Sequence, residues 1–367
     1  MRTRLLPVHA IEPADERRWR LLAEESLDPN PFFEPEFILP AARHLGGAGG
    51  QLLLMEEGDR WLACLPVTPR STRLKVPVLS GWRSPYSFLG APLVAEGAER
   101  ALPDLLLEGM SGRLTGAAML DQVPADSRAW AALEDAIGAG ELVQLARRDF
   151  DRAAYDPARS GPELELSSRR RADLRRTRRR LEEEIGAEVS FELVEPDEAT
   201  LAEFVRLESA GWKGEEGTAV REGEGHARFF GEMARAFTAR ERLEMWVMRC
   251  GGLTLAIATV IVSGDVRFAF KTAFDESFRN RGPGTHLIVE ITNGSIDGRR
   301  RLLDSCADSS NELLNLLWPD RRALVSVALA RPGARGCAQA RDPGDRDARR
   351  GTDRYRLKPG PRGSSWP

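Results

Sequence analysis

The stretch from Leu253 to Arg301 limits the fold more than any other part of the sequence. It opens with LTLAIATVIV, a β-branched apolar run of strand character. Gly264-Asp265 is a hairpin turn signal, and VRFAFKTAF follows as a second, alternating strand. Residues Asp275 to Gly284, DESFRNRGPG, then form a loop. From Thr285 the apolar positions Leu287, Ile288, Ile291 and Ile296 fall on one helical face, with Gly298 placed to end it. Strand, glycine-rich loop and helix start together offer a phosphate free backbone N–H groups and a positive dipole end. Within the loop, Arg279-x-x-Gly282-x-Gly284 would let the backbone approach a pyrophosphate, with Arg279 or Arg281 adding charge. A glycine-rich loop alone is equally a plain turn, so its surroundings have to decide.

At 367 residues the chain exceeds one typical domain, and 42% hydrophobic content suffices for real cores. A net charge of −3 argues against a surface that coats nucleic acid. The four cysteines, Cys64, Cys250, Cys306 and Cys337, show no C-x-x-C spacing, which argues against a disulfide framework or a metal site and for reduced cytoplasmic thiols. The first residues, MRTRLLPVHAIEPADERRW, lack the apolar core of a signal peptide, and no run reaches the ~18 apolar residues of a membrane span. Only four of the 53 basic residues are lysine: Lys75, Lys213, Lys271 and Lys358. Where lysine survives in so arginine-rich a chain, the bulk or permanent charge of arginine is a candidate reason.

The first 157 residues read as an α/β unit. Helices are expected around Glu16–Glu24, Pro35–Leu45, Pro103–Met110 and Ala129–Ile137. Strands are expected at Gln51–Met55, Trp61–Val67, Val76–Leu79, Ser87–Leu89, Ala117–Leu120 and Leu142–Leu145. A second unit, 158–330, repeats a comparable order: basic helix, strand, two helices, strand pair, helix, strand. WLACLPV in the first unit matches LAIATVIV in the second, so two tandem copies of one fold are expected. The first copy lacks R-x-x-G-x-G; its equivalent region, Gly81-Trp82-Arg83-Ser84-Pro85-Tyr86, is aromatic. The cofactor then belongs to the second copy, while the first shapes the acceptor cleft. Residues 331–367, rich in Gly, Pro and Arg, read as a disordered tail.

Three further segments carry candidate chemistry. Ser168–Gly186 is a helix with eight arginines and a narrow stripe of Leu174, Leu181 and Ile185. It is either a solvated face, partly neutralised by Glu182–Glu184, or an anion-binding arm, though without interleaved aromatics to stack on bases. In ESAGWKGEEGT a helix ends at Gly211 and a glycine-rich loop begins, where Trp212 and Lys213 either anchor the core or close over an acceptor. His226, beside the helically spaced Phe229, Phe230, Met233 and Phe237, reads as structural. Asp304 and Ser305 fall at the end of a strand, where side chains enter the cleft of such a sheet.

Taken together, the hairpin, R-x-x-G-x-G and helix resemble the acyl-CoA pyrophosphate loop of GNAT acetyltransferases. Further matches are Gly211-Trp212-Lys213-Gly214 with Gly217-Thr218, the run Phe270–Glu276, Asp304-Ser305-Cys306-Ala307, and Leu317-Trp318-Pro319-Asp320-Arg321-Arg322. Over roughly Pro31–Ala330 these resemble the acetyltransferases of the cellulose-biosynthesis (CelD/BcsL) type, relatives of the Fem-type peptidyltransferases. The resemblance implies tandem GNAT-like domains of α/β (α+β) class, each a mixed, mostly antiparallel sheet flanked by helices. It implies acetyl-CoA as acyl donor, held by Arg279, Arg281, Gly282, Gly284 and Thr285, and a sugar, polysaccharide precursor or other small polar acceptor. A Fem-like use of aminoacyl-tRNA, or a scaffold that has lost its chemistry, are the alternatives it leaves.

Acyl transfer also needs a polarised carbonyl and a proton acceptor. A backbone N–H near Lys271–Ala273 is the expected oxyanion donor. Asp275, Glu276 and Asp304 are the candidate bases, and a carboxylate in that role needs its pKa raised by burial. Lys271 would otherwise bind an acidic acceptor or a CoA phosphate. G-x-S-x-G, H-E-x-x-H and the Walker loop are all missing, which removes their hydrolase, protease and ATPase chemistries from consideration.

Overall fold

A computed structural model of the chain describes residues 1–46, 49–71, 77–111, 116–212, 220–294 and 302–333. In the first half the strands are β1 Arg2–Pro7, β2 Gln51–Glu57, β3 Arg60–Ser71, β4 Pro77–Gly81, β5 Leu93–Val94, β6 Ala117–Pro124 and β7 Val143–Tyr155. Its helices are α1 Pro13–Glu24, α2 Pro35–His44, α3 Ala101–Ser111 and α4 Arg128–Gly138. After the short α5, Pro157–Ser160, come α6 Ser168–Ile185, α7 Glu198–Trp212, α8 Val220–Thr238, α9 Pro283–Asn293 and α10 Glu312–Leu317. The strands of the second half are β8 Val189–Val194, β9 Leu243–Cys250, β10 Leu253–Ser263, β11 Val266–Phe274, β12 Leu302–Asp304 and β13 Asp320–Ala330.

All of these strands join one mixed 13-stranded sheet in the order β1-β2-β3-β4-β6-β13-β7-β12-β11-β10-β9-β8, with β5 set against β3. Read from its centre, the order is nearly symmetric. In each half an antiparallel run (β1 to β4, or β8 to β11) ends in a strand that pairs parallel with the next: β4 with β6, and β11 with β12. The tandem repeat is thus visible in the topology. The last strand of each half crosses over: β7 pairs with β12 of the second half, and β13 is laid between β6 and β7.

Two apolar layers flank the second half of the sheet. On one face Leu201 and Phe204 of α7, Phe229 and Met233 of α8, and Phe37 of α2 join Phe268 and Phe270. On the other, Leu181 of α6, Leu287 and Ile291 of α9, and Trp318 pack against Ala256, Ala258 and Val260. The halves are therefore welded on one side, with Phe32 5.6 Å from Phe268 in an edge-to-face contact.

Several expected elements differ. Ser87–Leu89 is loop, because the segment turns at Ser84–Ser87 and gives the Phe88 carbonyl to Arg152. The strand expected at Leu142–Leu145 is only the start of β7. Its continuation RRDFDR lacks an apolar pattern and is held by backbone pairing to β13 along its length. β1, β5, β9 and β13 were not anticipated. Helix α7 runs through Gly211 to Trp212. Helix α9 ends at Asn293, its cap Gly294 donating to the Glu290 carbonyl, so it closes before Ile296 and Gly298, which lie outside the described residues. The expected tail, beyond 333, also lies outside them.

Candidate functional site

At the end of β11, the Asp275 carboxylate accepts the Ser277 N–H at 2.9 Å and so caps a 3-10 turn, Glu276–Arg281. Gly282 then takes φ +64, a conformation that costs any other residue strain, and Pro283 starts α9. Gly284 and Thr285 occupy the first turn of α9, where N–H groups have no intrahelical acceptor. A Cβ on Gly284 would lie 3.4 Å from the Phe274 ring and 3.7 Å from the Thr272 methyl, an ordinary contact, so the packing of helix on strand does not itself demand glycine here.

Behind the loop stands His286. Its Nε2 lies 3.0 Å from the Thr177 hydroxyl of α6, and its ring also bonds to the Arg281 backbone. Burial, reinforced by the neighbouring Arg178 charge, lowers the His286 pKa below the ordinary histidine value. The arginine-rich helix therefore lies directly against the loop. Arg281 is bound to Glu184 of α6 at 2.9 Å, and Arg279 lies 3.7 Å from Glu276.

The parallel pairing of β11 with β12 covers only Val266↔Leu302 to Phe268↔Asp304. β12 stops there while β11 runs on to Phe274, so the sheet splits. Along Ala269–Phe274 no described strand occupies the β12 side. At the mouth of the split the β10–β11 register slips: Val260 pairs with Ala269 but Thr259 with Lys271, which leaves Phe270 as an extra residue. Such a bulge re-aims side chains. Here it delivers Phe270 and Lys271 together towards the first half. The Lys271 ammonium sits 4.5 Å from the centre of the Tyr86 ring and is ion-paired with Glu208 of α7. Tyr86 in turn stacks on Phe229, and its hydroxyl lies 2.5 Å from His226 Nδ1. Sequence reasoning left Tyr86 and His226 out of the site. The only signals were the aromatic loop of the first half and the rarity of histidine.

Asp304, at the tip of β12, is fully buried. Arg152 of β7 binds it at 2.6 and 2.7 Å, Arg322 of β13 at 2.6 Å, and the Cys306 N–H donates to it at 3.0 Å. Burial alone would raise its pKa, but the two guanidinium groups outweigh burial and hold it below the ordinary aspartate value. A carboxylate so held does not take up a proton near neutral pH. Asp304 is the joint that ties the two crossed-over strands to β12, which is a physical reason against the role of base. Trp212 ends α7, and Lys213 lies outside the described residues.

An open hollow of about 550 Å³ lies between α2 and α8, lined by His44, Arg228, Gly231, Glu232 and Arg235. Glu232 is taken by Arg43 and His44, and Arg235 by Glu198, so these groups face one another rather than a ligand. Among the described residues no cluster of His, Cys, Asp and Glu could hold a metal ion. No helix there is long and apolar enough to cross a membrane.

Residues 168–311, from α6 through the loop to the start of α10, match the family model of the acetyltransferase (GNAT) domain. A conserved protein of unknown function from Bacteroides thetaiotaomicron VPI-5482 superposes with a TM-score of 0.57 at 12% identity, covering 88% of this chain and 98% of that one. FemX superposes at 0.56 with 10% identity, covering 89% and 97%. At such identities the likeness is one of fold. No curated protein matches the sequence. The part of the second half that holds the loop, α9 and β12 is thus the part that matches an acetyltransferase (GNAT) domain, and that match supports an acyltransferase.

Proposed function

We propose that the protein transfers an acyl group from acetyl-CoA, or a close acyl-CoA, to an amine or hydroxyl of a small polar acceptor. The observation that carries this reading is the split between β11 and β12 beside the N-terminus of α9. Gly284 and Thr285 would present N–H groups to the pyrophosphate, with Arg279 and Arg281 within reach of its charge. The unpaired side of Ala269–Phe274 would receive the amides of the pantetheine arm as an added strand would. A backbone N–H near Lys271–Ala273 would stabilise the oxyanion. Acetyl-CoA supplies the activated acyl thioester.

The acceptor class, a sugar or polysaccharide precursor, rests on the CelD/BcsL-type resemblance, and Trp212 and Lys213 are its candidate contacts. A cytoplasmic location accords with Cys64, Cys250 and Cys306, all buried and free of disulfides. One observation favours a second donor, an aminoacyl-tRNA: Arg169, Arg170, Arg175 and Arg180 on α6 have no ion-pair partner among the described residues.

Titration calorimetry with acetyl-CoA tests the lead reading. It predicts micromolar binding by the wild type that an Arg279→Ala/Gly284→Val variant loses. A folded wild type that ignores acetyl-CoA but binds tRNA, more weakly as salt rises, would replace the lead reading with the second.

A further inference from the structure

We infer that Tyr86 and His226 form the proton relay of this site, with the first half of the chain supplying the group that meets the acceptor. The inference deepens the acyltransferase reading and rests on it. Tyr86 comes from the loop after β4 and His226 from α8, 140 residues apart, yet phenol oxygen and imidazole nitrogen lie 2.5 Å apart. The pair is placed at the acyl-transfer position rather than elsewhere in the interface. Tyr86 lies 6.1 Å from the ring of the bulge residue Phe270 and beneath the Lys271 ammonium, at the mouth of the split.

The two faces of the sheet then divide the work. The loop and α9 lie on the α6 side, Tyr86 and His226 lie on the α7/α8 side, and the split joins them. None of the three carboxylates expected as bases is as well placed, and Glu208 is held by Lys271. Asp304 is locked by two arginines, Asp275 caps the 3-10 turn, and Glu276 lies in that turn on the loop side.

The step balances as follows. The acceptor nitrogen or oxygen attacks the thioester carbonyl carbon, and the C–S bond breaks with its electron pair leaving on sulfur. As the nucleophile's proton moves to the Tyr86 oxygen, the Tyr86 proton moves to His226 Nδ1. The products are the acylated acceptor, CoA thiolate and an imidazolium, which returns its proton to the thiolate or to water. Lys271 places positive charge over the ring on which negative charge develops transiently. His226 touches Tyr86, and the charged and titratable groups on the elements packed about the pair are Lys271 of β11 over the Tyr86 ring, Glu208 of α7 paired with Lys271, Arg228 and Glu232 on α8 itself, and His44 of α2 paired with Glu232. Glu244 of β9 points to the opposite face, where it pairs with Arg267.

The test uses the full chain, Tyr86→Phe and His226→Gln, since glutamine keeps a hydrogen bond to the phenol without taking a proton. Three quantities are read: acetyl-CoA affinity by calorimetry, thiol release from acetyl-CoA with water and a panel of polar amines and alcohols, and the imidazole titration by NMR. The expected result is unchanged affinity within about twofold and turnover lowered about 100-fold in both variants. The rise of rate with pH that tracks His226 should disappear, and Tyr86→Phe should move the His226 titration in the ligand-free protein. Turnover within about threefold of wild type in either variant overturns the relay. So does a wild type that binds acetyl-CoA but releases no thiol with any acceptor. Absence of acetyl-CoA binding by the wild type would instead sink the acyl-CoA reading itself.

Discussion

The two halves of the sheet use one plan for opposite ends. In the second half β11 outruns β12 by six residues, Ala269–Phe274, and only a short turn separates it from α9. In the first half β4 pairs with β6 through Leu79 and Ser80 and ends at Gly81, and the long passage to α3 folds back over the sheet. That passage fills its own gap: the Gly90 N–H reaches the Gln122 carbonyl, and a Cβ on Gly90 would stand 2.1 Å from the Asp121 carbonyl oxygen. Trp82, Tyr86 and Leu89 are buried along it. Where one copy leaves a strand side unpaired among the described residues, the other covers its own with the passage after β4. A duplicated fold can keep one open site and turn its second copy into a wall for that site.

The largest effect tied to this comparison concerns the joint between the halves. Asp304→Ala would leave Arg152 and Arg322 buried without a counter-charge, and about 3–5 kcal/mol of stability should be lost in urea unfolding. Because the folded-state pKa of Asp304 is depressed, its contribution is complete above the unfolded value, near 4, and is lost as pH falls through the lower folded value. Wild type should therefore weaken in acid more steeply than Asp304→Asn; equal acid slopes would contradict the paired state.

Next comes the plug. Gly90→Ala forces a Cβ against backbone and should cost about 3 kcal/mol in the same assay while leaving acetyl-CoA affinity per folded molecule unchanged. Gly284→Val, its mirror in the open half, should do the reverse. Its melting temperature should stay near wild type while affinity falls about 100-fold, roughly 2.7 kcal/mol. Glu184→Gln is the finest probe. It releases Arg281 from its partner on α6, and affinity should rise about threefold in low salt and less in high salt.

The open half was legible because its signals are local. Hairpin, Gly282 and the helix start lie in one contiguous stretch, and each reports its own backbone need. The exchange of β7 and β13 was not legible, since RRDFDR carries no apolar period and its strand character comes from partners far away in the chain. Asp304 showed the same limit: a strand-end carboxylate looks like a base until Arg152 and Arg322 arrive from other strands. Tyr86 and His226 were hidden for the same reason, because neither residue signals a partner 140 positions away.

The most direct test of the division between halves is amide hydrogen exchange with and without acetyl-CoA. The account predicts new protection along Ala269–His286, strongest at Gly284 and Thr285, with 77–101 unchanged. Protection centred on 77–101, or bound acetyl-CoA that leaves Ala269–His286 untouched, would contradict it.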